Sequence, residues 1–133
     1  MAKRVRFHGI AAGYRSGLEE STATNLKERG ITFTYEETKI KWTDMKVRSY
    51  TPDFVLENGI IIETKGRFVS TDRRKHKEIQ KQFPEHDIRF VFNNSRAKLY
   101  KGAKGTYGDW CKSNGFLYSD KIIPEEWTEE EKK

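Results

Sequence analysis

The chain has 133 residues, only 35% of them hydrophobic, and carries a net charge of +6 from 26 Lys and Arg against 20 Asp and Glu. That length bounds the fold to one domain with a modest core, and the lack of an 18-residue apolar run or a leading apolar segment excludes a membrane span and points to a reducing cytoplasm. A lone cysteine, Cys111, excludes an intramolecular disulfide and has no Cys or His at zinc-ligand spacing, so it reads as a buried thiol.

In chain order, the first dozen residues lack apolar periodicity, and residues 1–15 read as a flexible basic arm carrying Lys3, Arg4, Arg6 and Arg15. Residues 16–133 then form one domain. Ser16-Gly17-Leu18-Glu19 has capping-box spacing, which predicts a helix to about Arg29 closed by Gly30. Glu19 would then bond the backbone amide of Ser16, while Glu20 faces solvent. Ile31, Phe33 and Tyr35 alternate with polar residues as a strand does, and Lys39 to Trp42 continue it or pair with it. Thr43 to Ser49 are polar and read as a connection crossing from one part of the molecule to another.

Tyr50 to Leu56 and Ile60 to Gly66 are rich in β-branched and aromatic residues on either side of Glu57-Asn58-Gly59, which predicts a hairpin. Register matters here. A two-residue Asn-Gly turn sends Asp53 and Glu63 to opposite faces. A three-residue loop with Gly59 in the left-handed region pairs Leu56 with Ile60 and Asp53 with Glu63, and this is the expected form. Gly66 to Thr71 then form a loop containing Arg67, and Ser70 or Thr71 caps a helix running to about Phe83 before Pro84. Arg73, Arg74, Lys75, Lys77 and Lys81 make its exposed face basic, and His76 among them reads as a solvent residue or a phosphate contact rather than a metal-site neighbour.

Ile88, Phe90 and Phe92 alternate in a further strand that ends at Asn93-Asn94-Ser95-Arg96. Lys98, Lys101 and Lys104 are interleaved with Tyr100, Gly102, Gly105 and Tyr107, either as an ordinary surface loop or as a flexible basic and aromatic loop that tracks a phosphate backbone. Thr106 and Asp109 have cap spacing ahead of Trp110, with Gly115 closing that helix. Trp110, Phe116 and Trp127 belong to the core. The element order predicts an α/β fold, a mixed central sheet flanked by helices.

Two carboxylates and an ammonium on one hairpin are suited to phosphodiester hydrolysis. Asp53 and Glu63 can hold a hard cation such as Mg²⁺ through oxygen, and Lys65 can orient or deprotonate a water. Glu63 and Lys65 also share a strand face, so a solvated ion pair is the plainer alternative. Charge placement favours a nucleic-acid partner: residues 121–133 hold five Glu and three Lys, leaving the excess positive charge on the rest of the chain.

Pro52-Asp53 followed by Glu63-Thr64-Lys65 resembles the signature of the PD-(D/E)xK nuclease superfamily. Arg15 to Glu19, Tyr50 to Phe54, Asn58 to Ile60, Glu63 to Gly66, Lys98 to Gly102 and Pro124 to Trp127 resemble, in order, the endonuclease I family of T-odd phages, which are Holliday-junction resolvases. The resemblance implies a restriction-endonuclease-like, domain-swapped homodimer acting in the host cytoplasm. It implies one or two Mg²⁺ or Mn²⁺ ions per site at Asp53 and Glu63, catalysis by Lys65 and by Glu19 from the other chain, and products with 5′-phosphate and 3′-hydroxyl ends. Residues 16–42 would be the exchanged part and 43–49 the bridge. DNA contacts are expected from Lys3, Arg4, Arg6, Arg15, Arg67, Arg73, Arg74, Lys75, His76, Lys77, Arg96, Lys98, Lys101 and Lys104. A nuclease that cuts ordinary duplex and a non-catalytic branched-DNA-binding module are the alternatives.

Overall fold

Strand periodicity sets the middle of the molecule and capped helices cover it. The computed structural model describes residues 13–43 and 47–132. In chain order it contains α1 (Gly17–Glu28), β1 (Phe33–Tyr35), β2 (Ile40–Thr43), β3 (Val47–Tyr50), β4 (Phe54–Leu56) and β5 (Ile61–Lys65), followed by α2 (Ser70–Gln82), β6 (Ile88–Phe92), α3 (Tyr107–Asn114), β7 (Tyr118–Asp120) and α4 (Glu125–Glu129). Five strands form a sheet in the order β1-β4-β5-β6-β7. The β1–β4 and β4–β5 pairs are antiparallel, while the β5–β6 and β6–β7 pairs are parallel, so the sheet is mixed.

The hairpin has the three-residue loop. Phe54 pairs with Ile62 and Val55 with Ile61, the Leu56 amide donates to the Ile60 carbonyl at 2.8 Å, and Gly59 takes φ +92°. That register places Asp53 opposite Glu63. Alternation along the strands then sorts the core into two layers. Phe54, Leu56, Ile62 and Val91 pack with Leu18, Ala23 and Leu26 of α1 and with Trp127. Ile61, Phe90 and Phe92 pack with Phe68, Ile79 of α2, and Tyr107 and Cys111 of α3. Cys111 is buried, and burial pushes its thiol pKa up to about 12. Phe116 and Trp127 lie in the core, and Trp110 stacks on Phe116 at its edge.

Two short elements, β7 and α4, have no counterpart in the sequence reading. Each is too brief to establish a period. The polar stretch after Trp42 also differs from its expected form within this chain: Thr43 ends β2, Val47 to Ser49 lie in β3, and the two strands form their own antiparallel pair. Ile40, Trp42 and Tyr50 from this pair pack with Ile79 in the layer that contains α2. Lys3, Arg4 and Arg6 lie outside the described residues, as do positions 44–46 of the expected bridge.

Candidate active site

Asp53 follows Pro52 and immediately precedes β4, and its side chain is fixed by the next strand. The Thr64 amide and hydroxyl both donate to Asp53 Oδ2, at 2.9 and 2.8 Å. Thr64 sits between Glu63 and Lys65, so the middle residue of that triplet anchors the carboxylate contributed by the other arm. Glu63 is 4% exposed. Its Oε1 accepts from the Tyr50 hydroxyl at 2.8 Å, and its Oε2 lies 3.4 Å from Lys65 Nζ. Burial and the nearby Glu63 charge raise the Tyr50 pKa well above its ordinary value, which keeps this hydroxyl a donor. Lys65 Nζ also lies 3.5 Å from Asp72 Oδ1 in the first turn of α2. Burial alone would lower the Lys65 pKa, but Glu63, Asp72 and Asp53 outweigh it, and the ammonium is held in its charged form.

Glu19 approaches Asp53 from α1. Half of the expected capping box forms, because Ser16 Oγ accepts from the Glu19 amide at 3.0 Å. The return bond differs. Glu19 Oε1 accepts from the Arg15 amide at 2.7 Å, one residue earlier than expected, and from the Tyr35 hydroxyl at 2.7 Å. The carboxylate therefore serves the helix start while lying beside Asp53. Glu36, which the sequence reading did not single out, completes the group: one oxygen from each of Glu19, Glu36 and Asp53 lies within 4.8 Å of the others. Glu36 occupies left-handed backbone at φ +52°, with its amide donating to the Asp53 carbonyl at 3.2 Å. Glu36 and Glu37 are adjacent acids after a strand, and nothing local distinguishes them; the turn does.

Arg15 is seated among these acids. Its Nε lies 2.5 Å from Glu36, and its Nη2 lies 3.5 Å from Asp53 and 3.9 Å from Glu19. Arg15, expected in a DNA-binding arm, is in this chain a counter-ion to these acids while its side chain stays largely exposed. The Arg15 guanidinium thus balances part of the negative charge of three carboxylates, all hard oxygen donors. Glu19, Glu36 and Asp53 fit a divalent metal, each offering a hard carboxylate oxygen within 4.8 Å of the others.

Burial, then repulsion from Asp53, pushes the Glu19 pKa up to about 7. Burial, then the Glu63 charge, pushes Asp53 up to about 6 against the opposing bonds from Thr64. Groups whose folded pKa is raised stabilise the fold while protonated, and that contribution is lost as pH rises through the folded values. The pH window is about 4 to 7, set by the ordinary values 3.8 and 4.5 and the raised ones. In chelator, Asp53→Asn should therefore melt higher than wild type at about pH 8, with the difference narrowing toward about pH 4. Melting midpoints measured by circular dichroism across this range check the sign; a difference that widens in acid contradicts it.

The basic candidates divide. Arg67, Arg74, Lys77, Arg96, Lys98, Lys101 and Lys104 are exposed. Arg73 is turned inward, donating to the Phe68 carbonyl at 2.6 Å. Lys75 places its Nζ 5.3 Å from the centre of the Tyr50 ring. His76 corrects an expectation: it is fully buried and cannot reach solvent or a phosphate. Its ring meets Tyr50 and Phe90 edge-on at 5.1 and 4.9 Å, and burial holds its pKa well below the usual value, so it is a neutral core residue. The loop expected to be flexible is tied across its base by the Lys98 and Thr106 bridge and by Leu99 N–H to the Gly105 carbonyl at 3.1 Å. Tyr100 projects from it, 66% exposed, whereas Tyr107 is buried.

Comparison with known proteins adds a family. The model for phage endonuclease I matches residues 1–133. The chain is 48% identical over 133 residues to endonuclease I of Escherichia phage T7, covering 99% of this chain and 87% of that protein. It is 50% identical over 121 residues to endodeoxyribonuclease 1 of Enterobacteria phage T3, covering 90% and 80% respectively.

Proposed function

The chain belongs to the phage endonuclease I family, and on that premise we propose that it is a divalent-metal-dependent endonuclease that resolves four-way and other branched DNA. The observation that carries the reading is the grouping of Asp53 with Glu19 and Glu36 around the Arg15 guanidinium, beside Glu63 and Lys65. Asp53 and Glu63 would hold Mg²⁺ or Mn²⁺, with Glu19 beside them. When bound, such a cation polarises a phosphoryl oxygen and makes a water easier to deprotonate. The chain's own residues set the rest. Thr64 holds Asp53 in one orientation, and Lys65, kept charged by its carboxylate neighbours, orients a water or meets the developing negative charge rather than acting as the base. Arg15, whose side chain is largely exposed, would contact a phosphate of the bound DNA. Hydrolysis leaves 5′-phosphate and 3′-hydroxyl ends.

Exposed bases on α2 and on the 98–106 loop would track the backbone, with Tyr100 available to an unstacked base at a branch. We also read the protein as a homodimer, since symmetric resolution of a junction needs two incisions. The test is incubation with a four-way junction, a linear duplex and single-stranded DNA, each with Mg²⁺ or with EDTA. The expected result is Mg²⁺-dependent cutting of the junction with binding retained in EDTA. Equal cutting of linear duplex would make it a general nuclease, and binding without any Mg²⁺-dependent cutting would make it a binding module.

A further inference from the structure

Glu63 has one oxygen beside Lys65, and what settles the other is Tyr50. The Tyr50 hydroxyl donates to Glu63 Oε1 at 2.8 Å, and the residue is 2% exposed. Three features fix the direction of that hydroxyl. The Tyr50 backbone is the last rung of the β2–β3 pair, opposite Ile40. The His76 ring meets the Tyr50 ring edge-on at 5.1 Å, and Lys75 Nζ lies 5.3 Å from its centre. His76 is itself an unusual neighbour: it is fully buried, and neither ring nitrogen has a hydrogen-bond partner among the described residues. It therefore acts on Tyr50 through ring packing alone.

We propose that Tyr50 is a positioning residue of the active site, which commits one oxygen of Glu63 to a fixed hydrogen bond and leaves the other directed at Lys65 and the cation. A carboxylate held at one oxygen cannot rotate freely, and groups that orient a metal ligand from behind sustain affinity without touching the ion. Tyr50 also joins two parts of the molecule, because the strand that carries it belongs to the small β2–β3 sheet rather than to the sheet that carries Glu63. The inference rests on the reading of Glu63 as a ligand.

The test is Mn²⁺ binding to the free protein by calorimetry, for wild type, Tyr50→Phe and Glu63→Ala, with melting midpoints and junction affinity in chelator alongside. Phe keeps the ring between His76 and Lys75 and removes only the hydroxyl. The expected result for Tyr50→Phe is Mn²⁺ affinity weaker by roughly 10-fold, the low end for partners behind a metal ligand. The melting midpoint in chelator should fall modestly, since a buried Glu63 oxygen loses its donor, while junction binding stays at the wild-type value and high Mn²⁺ restores the cleavage plateau. Wild-type Mn²⁺ affinity in Tyr50→Phe, with loss in Glu63→Ala, would overturn the role of Tyr50 and leave Glu63 standing. A cleavage deficit that excess Mn²⁺ does not repair would also overturn it, since misfolding is not rescued by metal. Unchanged affinity in Glu63→Ala would instead overturn the ligand reading, and the inference with it.

Discussion

Asp53→Asn protein should bind a four-way junction and fail to cut it. Asp53 is where the two carboxylate groups meet, opposite Glu63 across the hairpin and within 4.8 Å of Glu19 and Glu36. Removing its charge would weaken the proposed cation site at the ligand all these acids share. Loss of a group behind a metal ligand already costs roughly 10–100-fold, so loss of the shared ligand should reduce cleavage by more than about 100-fold. Asn is preferable to Ala here. Its side-chain oxygen can still accept from Thr64, whereas Ala leaves the buried Thr64 amide without its side-chain partner, at about 1–3 kcal/mol. Junction affinity in chelator should be unchanged or tighter, because one negative charge facing the phosphates is gone. Single-turnover cleavage and gel-shift assays on the same preparation measure both halves, and wild-type cutting by the Asn protein would sink the assignment.

Mixing Glu19→Ala chains with Asp53→Ala chains should recover nicking that neither mutant shows alone. The β2–β3 pair supplies the reason. Ile40 faces Tyr50, Lys41 faces Ser49, Trp42 faces Arg48 and Thr43 faces Val47, a register centred on position 45. If residues 40–50 ran straight instead of folding back, two chains related by a two-fold axis at that centre would form the same pairs between them. Every rung present within one chain would be made across the dimer. A swap of this kind costs little, because it exchanges identical contacts. It would carry α1 and β1 to the partner, setting Glu19 of one chain beside Asp53 of the other. The heterodimer then has one site with both residues intact and one with neither, and it nicks a single strand of the junction. With Glu19 acting in its own chain, each site lacks one residue and a verified heterodimer stays inactive.

Interactions spanning a few residues were legible from the order of residues alone. Strand alternation, the Ser16 and Thr106 caps, the stop at Pro84 and the loop of Glu57, Asn58 and Gly59 all depend on neighbours two to four positions apart, where side-chain direction follows backbone period. The loop length then placed Asp53 against Glu63, since a one-residue slip would have turned every side chain of the arm to the other face. Composition likewise set the basic character of the surface.

Tertiary structure decided whatever depends on elements meeting from far along the chain. Thr64 reads as a spacer until the hairpin closes and its hydroxyl meets Asp53. Arg15 reads as part of a basic arm until α1 packs beside β1 and β4, when three acids surround it. His76 lies in a helix so charged that its local pattern indicates exposure. It is buried because Tyr50 and Phe90, each more than ten residues away, close over it. A charge pattern reports which residues water would accept. Only the packing of distant elements determines which of them water can reach, and whether a buried carboxylate meets another acid, an arginine or a tyrosine hydroxyl.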